Sequence, residues 1–208
     1  MRVRSDAKRN EILGAAREAF QDKGYERATM SDVAARFGGS KATLYGYFRS
    51  KEDLMLAVVQ QDVAVDSGAL VDLVTGASDL RTGLIHCGVG YMQRALGPRA
   101  TATRRMIGGQ PESSGLGLKF YDEAIKPAWL KLCAHLETVM GEGVLRRADP
   151  WTTTMHFKGL IDGELLELQG LNALPSIDAD RIARTVEAGV DAFLRAYAPE
   201  TSTKLAAE

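Results

Sequence analysis

The sequence predicts an all-α chain of about nine helices, with a three-helix N-terminal domain over residues 1–50 and a larger helical domain over residues 51–208. Three observations lead there. Apolar residues recur three and four positions apart, and no stretch alternates convincingly with the period of two that a half-buried strand requires. Ser, Thr or Asp precedes many of these stripes, where a side-chain oxygen can cap the free N–H groups of a helix start. Glycine and proline fall where the stripes end. The 208 residues suffice for a substantial core, and 45% hydrophobic with 25% charged residues is ordinary for a folded globular chain.

The elements follow in order. The first helix runs from about Ser5 to Lys23, with Ile12, Leu13, Ala16, Ala19 and Phe20 as its apolar stripe and Gly24 as its end. The second starts after Thr29, whose hydroxyl can cap it. Asp32 stands where a capping box places its acid, and Val33, Ala34 and Phe37 share one face. Gly38-Gly39 breaks it. Ser40 caps a third helix in which Leu44 and Phe48 face inward. Ser50 caps a long fourth helix from Lys51, with Leu54, Val58 and Val65 on its buried side, loosening or ending between Gly68 and Gly76. Ser78 or Asp79 opens a fifth, along which Leu80, Leu84, Cys87, Tyr91 and Leu96 recur until Gly97-Pro98. A short helix over 99–107 and a turn-rich stretch over 108–115 follow. The next helical region spans 116–140, with Pro127 a kink or first-turn proline. Asp149-Pro150 is a cap and first-turn pair that opens an apolar helix to about Leu171. Ser176 or Asp178 opens the last, with Ile182, Val186, Val190, Phe193 and Tyr197 at helical steps.

The second and third helices carry the functional signal. With Leu44 and Phe48 inward, Lys41, Thr43, Tyr45 and Tyr47 are left mostly outward. A short helix that exposes two tyrosines and a lysine has a face suited to a partner. Two short helices joined by a glycine turn are what a helix-turn-helix needs to enter the DNA major groove. Hydroxyls, amines and N–H groups at a helix start match phosphate oxygens and base edges. Charge agrees: residues 1–51 hold 11 Lys and Arg against 6 Asp and Glu, while the whole chain holds 26 against 27. A basic head therefore sits on an acidic body. The arm with Arg2, Arg4, Lys8 and Arg9 is a further candidate for phosphate or minor-groove contact, or simply a basic terminus.

Residues 8–58 resemble the DNA-binding domain of TetR-family transcription regulators. The resemblance rests on Ile12-Leu13-x-x-Ala16-x-x-x-Phe20-x-x-x-Gly24-Tyr25, on Thr29-x-x-x-Val33-Ala34, and on Gly38-x-Ser40-Lys41-x-Thr43-Leu44-Tyr45-x-Tyr47-Phe48-x-x-Lys51-x-x-Leu54. Two positions depart from it. Gly39 replaces a small apolar residue, so the turn is expected to pack less well. Gly46 replaces a larger side chain that often reaches DNA. Residues 104–171 loosely resemble the C-terminal domain of AefR-like members.

The resemblance implies a double-stranded operator as partner. Lys41, Ala42, Thr43 and Tyr45 are then expected at base edges or the groove floor, and Thr29, Ser40, Tyr47 and Lys51 at phosphates. It also implies a homodimer through the last two helices, where Gly159, Gly163, Gly170 and Gly189 would let backbones approach closely, and two heads on a two-fold axis reading a near-palindrome. A small effector of unknown identity is implied in the body; Tyr91, Met92, Met106, Phe120, Trp129, Met155 and His156 are candidate lining residues. Their aromatic and thioether character favours an apolar or aromatic ligand, and Arg104-Arg105 leaves room for an acidic group. The expected role is a repressor released by its effector. An activator, or a DNA-binding or interaction protein without an effector, is the alternative.

Catalysis and metal binding are not expected, and no cofactor is called for. His86-Cys87 are adjacent on a helix and point about 100° apart, while Cys133 and His135 point to nearly opposite sides. Glu164 and Glu167 fit a solvated, interface-edge or ligand-facing stripe better than an acid–base pair. No phosphate loop, dinucleotide glycine motif or nucleophile elbow occurs. With two distant cysteines, no signal peptide and no stretch of about 18 apolar residues, the expected home is the cytoplasm, with no membrane span.

Overall fold

The computed structural model describes residues 5–174, 176 and 178–199. Arg2 and Arg4, named above as possible groove contacts, lie outside them. Among the described residues the regular structure is entirely helical. Helices α1 (Asp6–Lys23), α2 (Met30–Phe37) and α3 (Lys41–Tyr47) form the head, and α4 (Lys51–Thr75) leads out of it. The body contains α5 (Leu80–Leu96), α6 (Pro98–Gly108), α7 (Leu116–Phe120), α8 (Lys126–Gly141), α9 (Pro150–Asp162), α10 (Leu165–Gly170) and α11 (Ala179–Ala196).

Capping side chains fix most starts. Ser5, Thr29, Ser40, Ser50, Asp79 and Asp149 each accept a hydrogen bond from the backbone N–H three residues on, and Asp178 from the N–H two on. Two clusters form behind these helices. In the head, Ile12, Leu13, Ala16, Val33, Leu44 and Leu54 are wholly enclosed. In the body, α11 packs against both α5 and α9, enclosing Leu84, Met92, Phe157, Ile161, Val186, Val190 and Phe193. Each such side chain contributes about 1.5–3 kcal/mol through burial. Helix α4 serves both clusters: Leu54, Ala57 and Val58 pack in the head, Leu70 and Val74 in the body. Any movement of α4 is therefore felt at both ends of the molecule.

Among the described residues eleven α-helices replace the nine expected because two predicted rods are interrupted. Pro127 has no N–H to return to the carbonyl four residues back, and its ring crowds that carbonyl. The chain answers with one π turn, Tyr121–Ile125, closed by the Lys126 N–H on the Tyr121 carbonyl. The apolar run after Pro150 breaks at Gly163, whose φ of 50° an L side chain rarely adopts, and resumes as α10. Helix α4 runs past Gly68 and ends at Thr75 with Gly76 as its cap, within the expected interval, but Val65 is 69% exposed rather than buried. Helix α4 is also long and apolar enough to cross a bilayer by length and composition, with mean hydropathy 1.4 over an 18-residue window. Here 28% of that window is buried: Leu54, Ala57 and Val58 enter the head core and Leu70 and Val74 the body core, while Val65 and Leu73 stay exposed.

The glycines of the last helices divide as well. Gly189 brings α11 against α9 of the same chain, where an added Cβ would lie 2.6 Å from the Leu160 carbonyl oxygen. Gly163 makes the α9–α10 break. Only Gly159 and Gly170 of the expected four face open space.

Candidate DNA-binding surface

The α2–α3 unit is built from its caps. Thr29 Oγ1 accepts from the Asp32 N–H at 3.2 Å, and Asp32 Oδ2 accepts from the Thr29 N–H at 2.9 Å and hydroxyl at 2.8 Å. Asp32 Oδ1 also meets the Lys23 ammonium at 2.6 Å, tying α2 to the end of α1. At the other end Gly38 is left-handed, and the Gly38 and Gly39 N–H groups return to the Ala35 and Ala34 carbonyls. Gly39 is explained here. A Cβ at that position would fall 2.1 Å from the Phe37 ring, so the missing side chain makes room for Phe37. The Lys8 ammonium lies over that same ring, 4.4 Å from its centroid.

Helix α3 is then held by what it buries. Leu44 is fully enclosed and Phe48 nearly so. Ser40 Oγ accepts from the Thr43 N–H and lies 3.0 Å from Thr43 Oγ1. Lys41, Ala42 and Tyr45 project outward, Tyr45 being 51% exposed, while Thr43 and Gly46 are half-buried. A Cβ at Gly46 meets nothing within 4 Å, so this surface has a gap beside Tyr45. Tyr47 packs against the head core, and its hydroxyl accepts from the Ser5 N–H at 3.3 Å, at the start of α1. The surface is thus a patch around the start and outer side of α3, held by the Ser40 cap and by Leu44 and Phe48 beneath it.

Three expectations change in detail. Lys51 is turned inward: its Nζ donates to the Tyr25, Glu26 and Ala28 carbonyls at 3.0, 3.3 and 3.3 Å and lies 4.2 Å from the Tyr25 ring centroid. A lysine with its three donors so placed latches the α1–α2 loop to α4 and has none left for phosphate. Thr29 likewise spends its hydroxyl on the capping box. Lys8 and Arg9 are drawn to internal partners, Glu11 and Phe37 for the first, the Phe48 ring for the second. Sequence reasoning passed over Arg49, an exposed cation on the α3–α4 turn whose N–H bonds Asp53 Oδ2. Its adjacency to the Phe48 helix end was the available signal.

The Lys23 ammonium, followed by the Thr29 hydroxyl and N–H, lowers the Asp32 carboxyl from 3.8 to about 2. Because the folded value lies below the ordinary one, this stabilisation is complete above about pH 4 and disappears as pH falls toward 2. Nuclear magnetic resonance of the Asp32 carboxyl is expected to show a midpoint near 2 in the intact protein. In Lys23→Ala the midpoint should move back toward 3.8; an unmoved midpoint would contradict the assignment.

The effector candidates do not form one ring around a cavity. Met92 is fully enclosed, and Met106 and Trp129 are buried. Tyr91 meets Trp129 edge-on, with centroids 4.8 Å apart, and Met155 packs partly buried beside the same core. Phe120 is half-buried at the end of α7. His156 is an exposed residue on the outer side of α9, its Nδ1 2.6 Å from the Tyr197 hydroxyl, and it lines no interior space. Lys158 and Asp162, which sequence reasoning passed over, come beside Tyr91 and Trp129 instead. An i, i+4 ion pair on an otherwise apolar helix was the legible sign. Among the described residues no cluster could hold a metal ion, and Cys87 and Cys133 are separate buried thiols.

Comparison with known proteins gives this arrangement its context. Residues 12–58 match the family of bacterial regulatory proteins described as the tetR family, and residues 82–199 match the C-terminal domain of AefR-like transcriptional repressors. The HTH-type transcriptional activator FasR of Mycolicibacterium smegmatis is 47% identical over 62 residues, 30% of this chain and 28% of FasR. The chain thus spans less than a third of that relative. A putative TetR-family regulator from Mesorhizobium loti superposes with a TM-score of 0.80 at 23% identity, covering 95% of this chain and all of that one, a likeness of fold. The flavonoid-responsive regulator FrrA superposes with a TM-score of 0.66 at 28% identity over the same shares.

Proposed function

The chain belongs to the TetR family of transcriptional regulators, and from that premise we propose that it is a dimeric repressor that binds a near-palindromic operator and is released by a small aromatic effector. It is a DNA-binding regulator rather than an enzyme. The observation that carries the proposal is α3. A seven-residue helix anchored by Leu44 and Phe48 presents Lys41, Ala42 and Tyr45 outward, with its uncovered N-terminus beside them. Lys41, Ala42, Thr43 and Tyr45 face base edges in this reading, and Ser40, Tyr47, Arg49 and the N–H groups of the α2 and α3 starts face phosphates.

One such helix touches few bases, so two heads are needed, about 34–36 Å apart on the duplex. An outward stripe on α9 supports pairing: Thr152, His156, Gly159 and Leu160 are exposed at helical spacing and carry no acid, lysine or arginine. The repressor sign rests on the body, which matches AefR-like repressors, whereas the likeness to the activator FasR covers only 62 residues. The aromatic effector is supported by FrrA, named as flavonoid-responsive, and by the Tyr91–Trp129 pair. An effector releases DNA only by binding the DNA-free state more tightly, and the coupling is reciprocal.

Light scattering at micromolar concentration is expected to give a dimer; a monomer would contradict the proposal. Tyr47→Phe should weaken binding to all sequences alike, whereas Lys41→Ala should also change which operators are preferred, by about 1–3 kcal/mol at the base it reads. Binding measured across an operator library checks both. An unchanged preference profile would move Lys41 to the phosphate group.

A further inference from the structure

Two guanidiniums of α6 share one cleft with no acid beside them. Thr101, Arg104 and Arg105 on α6 face Leu166, Gln169 and Gly170 on α10 across a space of about 120 Å³. Neither arginine has an Asp or Glu partner among the described residues, whereas Arg81, Arg94, Lys158 and Arg181 of the same body are each paired with one. Two like charges held side by side without a counter-ion leave a place for an anion.

The hydrogen bonds around the cleft favour the same occupant. Arg104 Nη2 donates to the Ala95 carbonyl at 2.5 Å and Nη1 to Gln169 Oε1 at 3.4 Å, and Arg105 Nη2 donates to Asn172 Oδ1. A guanidinium carries five N–H donors, so each fork keeps more than half of its own. Gln169 gives an amide N–H to the Leu96 carbonyl at 2.5 Å, and the Thr101 hydroxyl donates to the Gly97 carbonyl at 2.9 Å. The carbonyls at the C-terminal end of α5, which would repel an anion, are thereby covered. Most of the donors left in the cleft belong to the two arginines.

Shape and lining choose among anions. Leu166 and Gly170 bring no polar side chain to their wall, so an inorganic ion would leave that side bare. An apolar cavity of about 150 Å³ accepts a benzene ring, so the cleft is close to single-ring size. A carboxylate presents two oxygens with about four acceptor sites, which two planar forks can fill. Resting on the effector-responsive reading above, we infer that the cleft binds a small organic carboxylate, its oxygens on Arg104 and Arg105 and its apolar part against Leu166.

The test is calorimetric titration of the intact protein, at constant ionic strength, with benzoate, benzamide, phenyl phosphate and inorganic phosphate, repeated on Arg105→Gln. Benzoate is expected to bind at least about ten-fold more tightly than the uncharged benzamide and than either phosphate. Arg105→Gln should cut its advantage over benzamide at least about three-fold, while benzamide binding is unchanged. Circular dichroism checks that the variant is folded. If it is not, Gly170→Glu serves instead: an added Cβ there meets nothing within 4 Å, and its carboxylate at the cleft wall must weaken benzoate binding at least about ten-fold. Benzamide binding as tightly as benzoate, or an undiminished advantage in a folded variant, overturns the inference. Either phosphate binding more tightly than benzoate overturns the carboxylate class. Operator binding measured alongside separates the two claims. Benzoate held by the arginines without release of DNA upholds the cleft and contradicts the effector-release reading. Release of DNA by benzoate whose affinity Arg105→Gln leaves unchanged overturns the cleft and upholds effector release.

Discussion

Gly189→Val is expected to unfold the body, lowering stability by about 3 kcal/mol or more out of a typical total of 5–15. An added Cβ at Gly189 lies 2.6 Å from the Leu160 oxygen, 2.8 Å from its carbonyl carbon and 3.1 Å from the Ile161 nitrogen. These are backbone atoms of a packed helix, and no rotamer change moves them. Helices α9 and α11 must separate, and in doing so they part Phe157 from Phe193, whose rings meet at 5.4 Å, and loosen Ile161, Val186 and Val190. Gly159→Val is the matched control. It lies on α9 with nothing within 4 Å of an added Cβ, on the stripe proposed to face a second subunit. It should leave urea unfolding of the isolated subunit within about 0.5 kcal/mol while weakening dimerisation in light scattering. Equal urea midpoints for both variants would contradict this account of α9 and α11.

The second large effect is expected at Lys51→Met. The ammonium satisfies three carbonyls of the 25–28 loop and lies over the Tyr25 ring, whose hydroxyl donates to Glu52 at 3.1 Å. Methionine keeps the stem and leaves those carbonyls unpaired, so a loss of about 2–4 kcal/mol in the head is expected. Operator affinity should fall because α2 and α3 are misplaced, and the salt dependence distinguishes this from a lost phosphate contact. A phosphate contact accounts for about 0.9 of the slope of log affinity against log salt. The latch predicts an unchanged slope with a lowered thermal midpoint. A slope reduced by about one with an unchanged midpoint would return Lys51 to the DNA.

What was legible in the sequence was local. A cap reaches two or three residues, so Thr29, Ser40, Ser50 and Asp149 announce their helices unaided, and the structure had only to choose Asp79 over Ser78 and Asp178 over Ser176. The stripe Ile182, Val186, Val190, Phe193, Tyr197 is buried throughout for the same reason: helical period alone places it on one face. Contacts between distant residues were not legible. Lys51 reads as one more surface cation until the 25–28 loop, more than twenty residues back, folds beneath it. Gly189 looks like any small residue suited to a dimer until Leu160 of its own chain occupies the space. At Gly39 the missing side chain seemed a packing defect, and it is the room taken by Phe37. The polar partners of the aromatic pair were passed over because Lys158 and Asp162, taken separately, look like solvated helix charges, and their i, i+4 spacing was the one sign of a pair. Only the packing of α5, α8 and α9 brings them against Tyr91 and Trp129.

The central claim is that two copies of α3 read one DNA site. Sequencing of fragments selected from random DNA by the purified protein, at a stated salt concentration, tests it most directly. The account predicts an enriched near-palindrome with half-sites about one helical turn apart, lost in Lys51→Met. Enrichment of a single unrepeated half-site, or of no sequence at all, would contradict it.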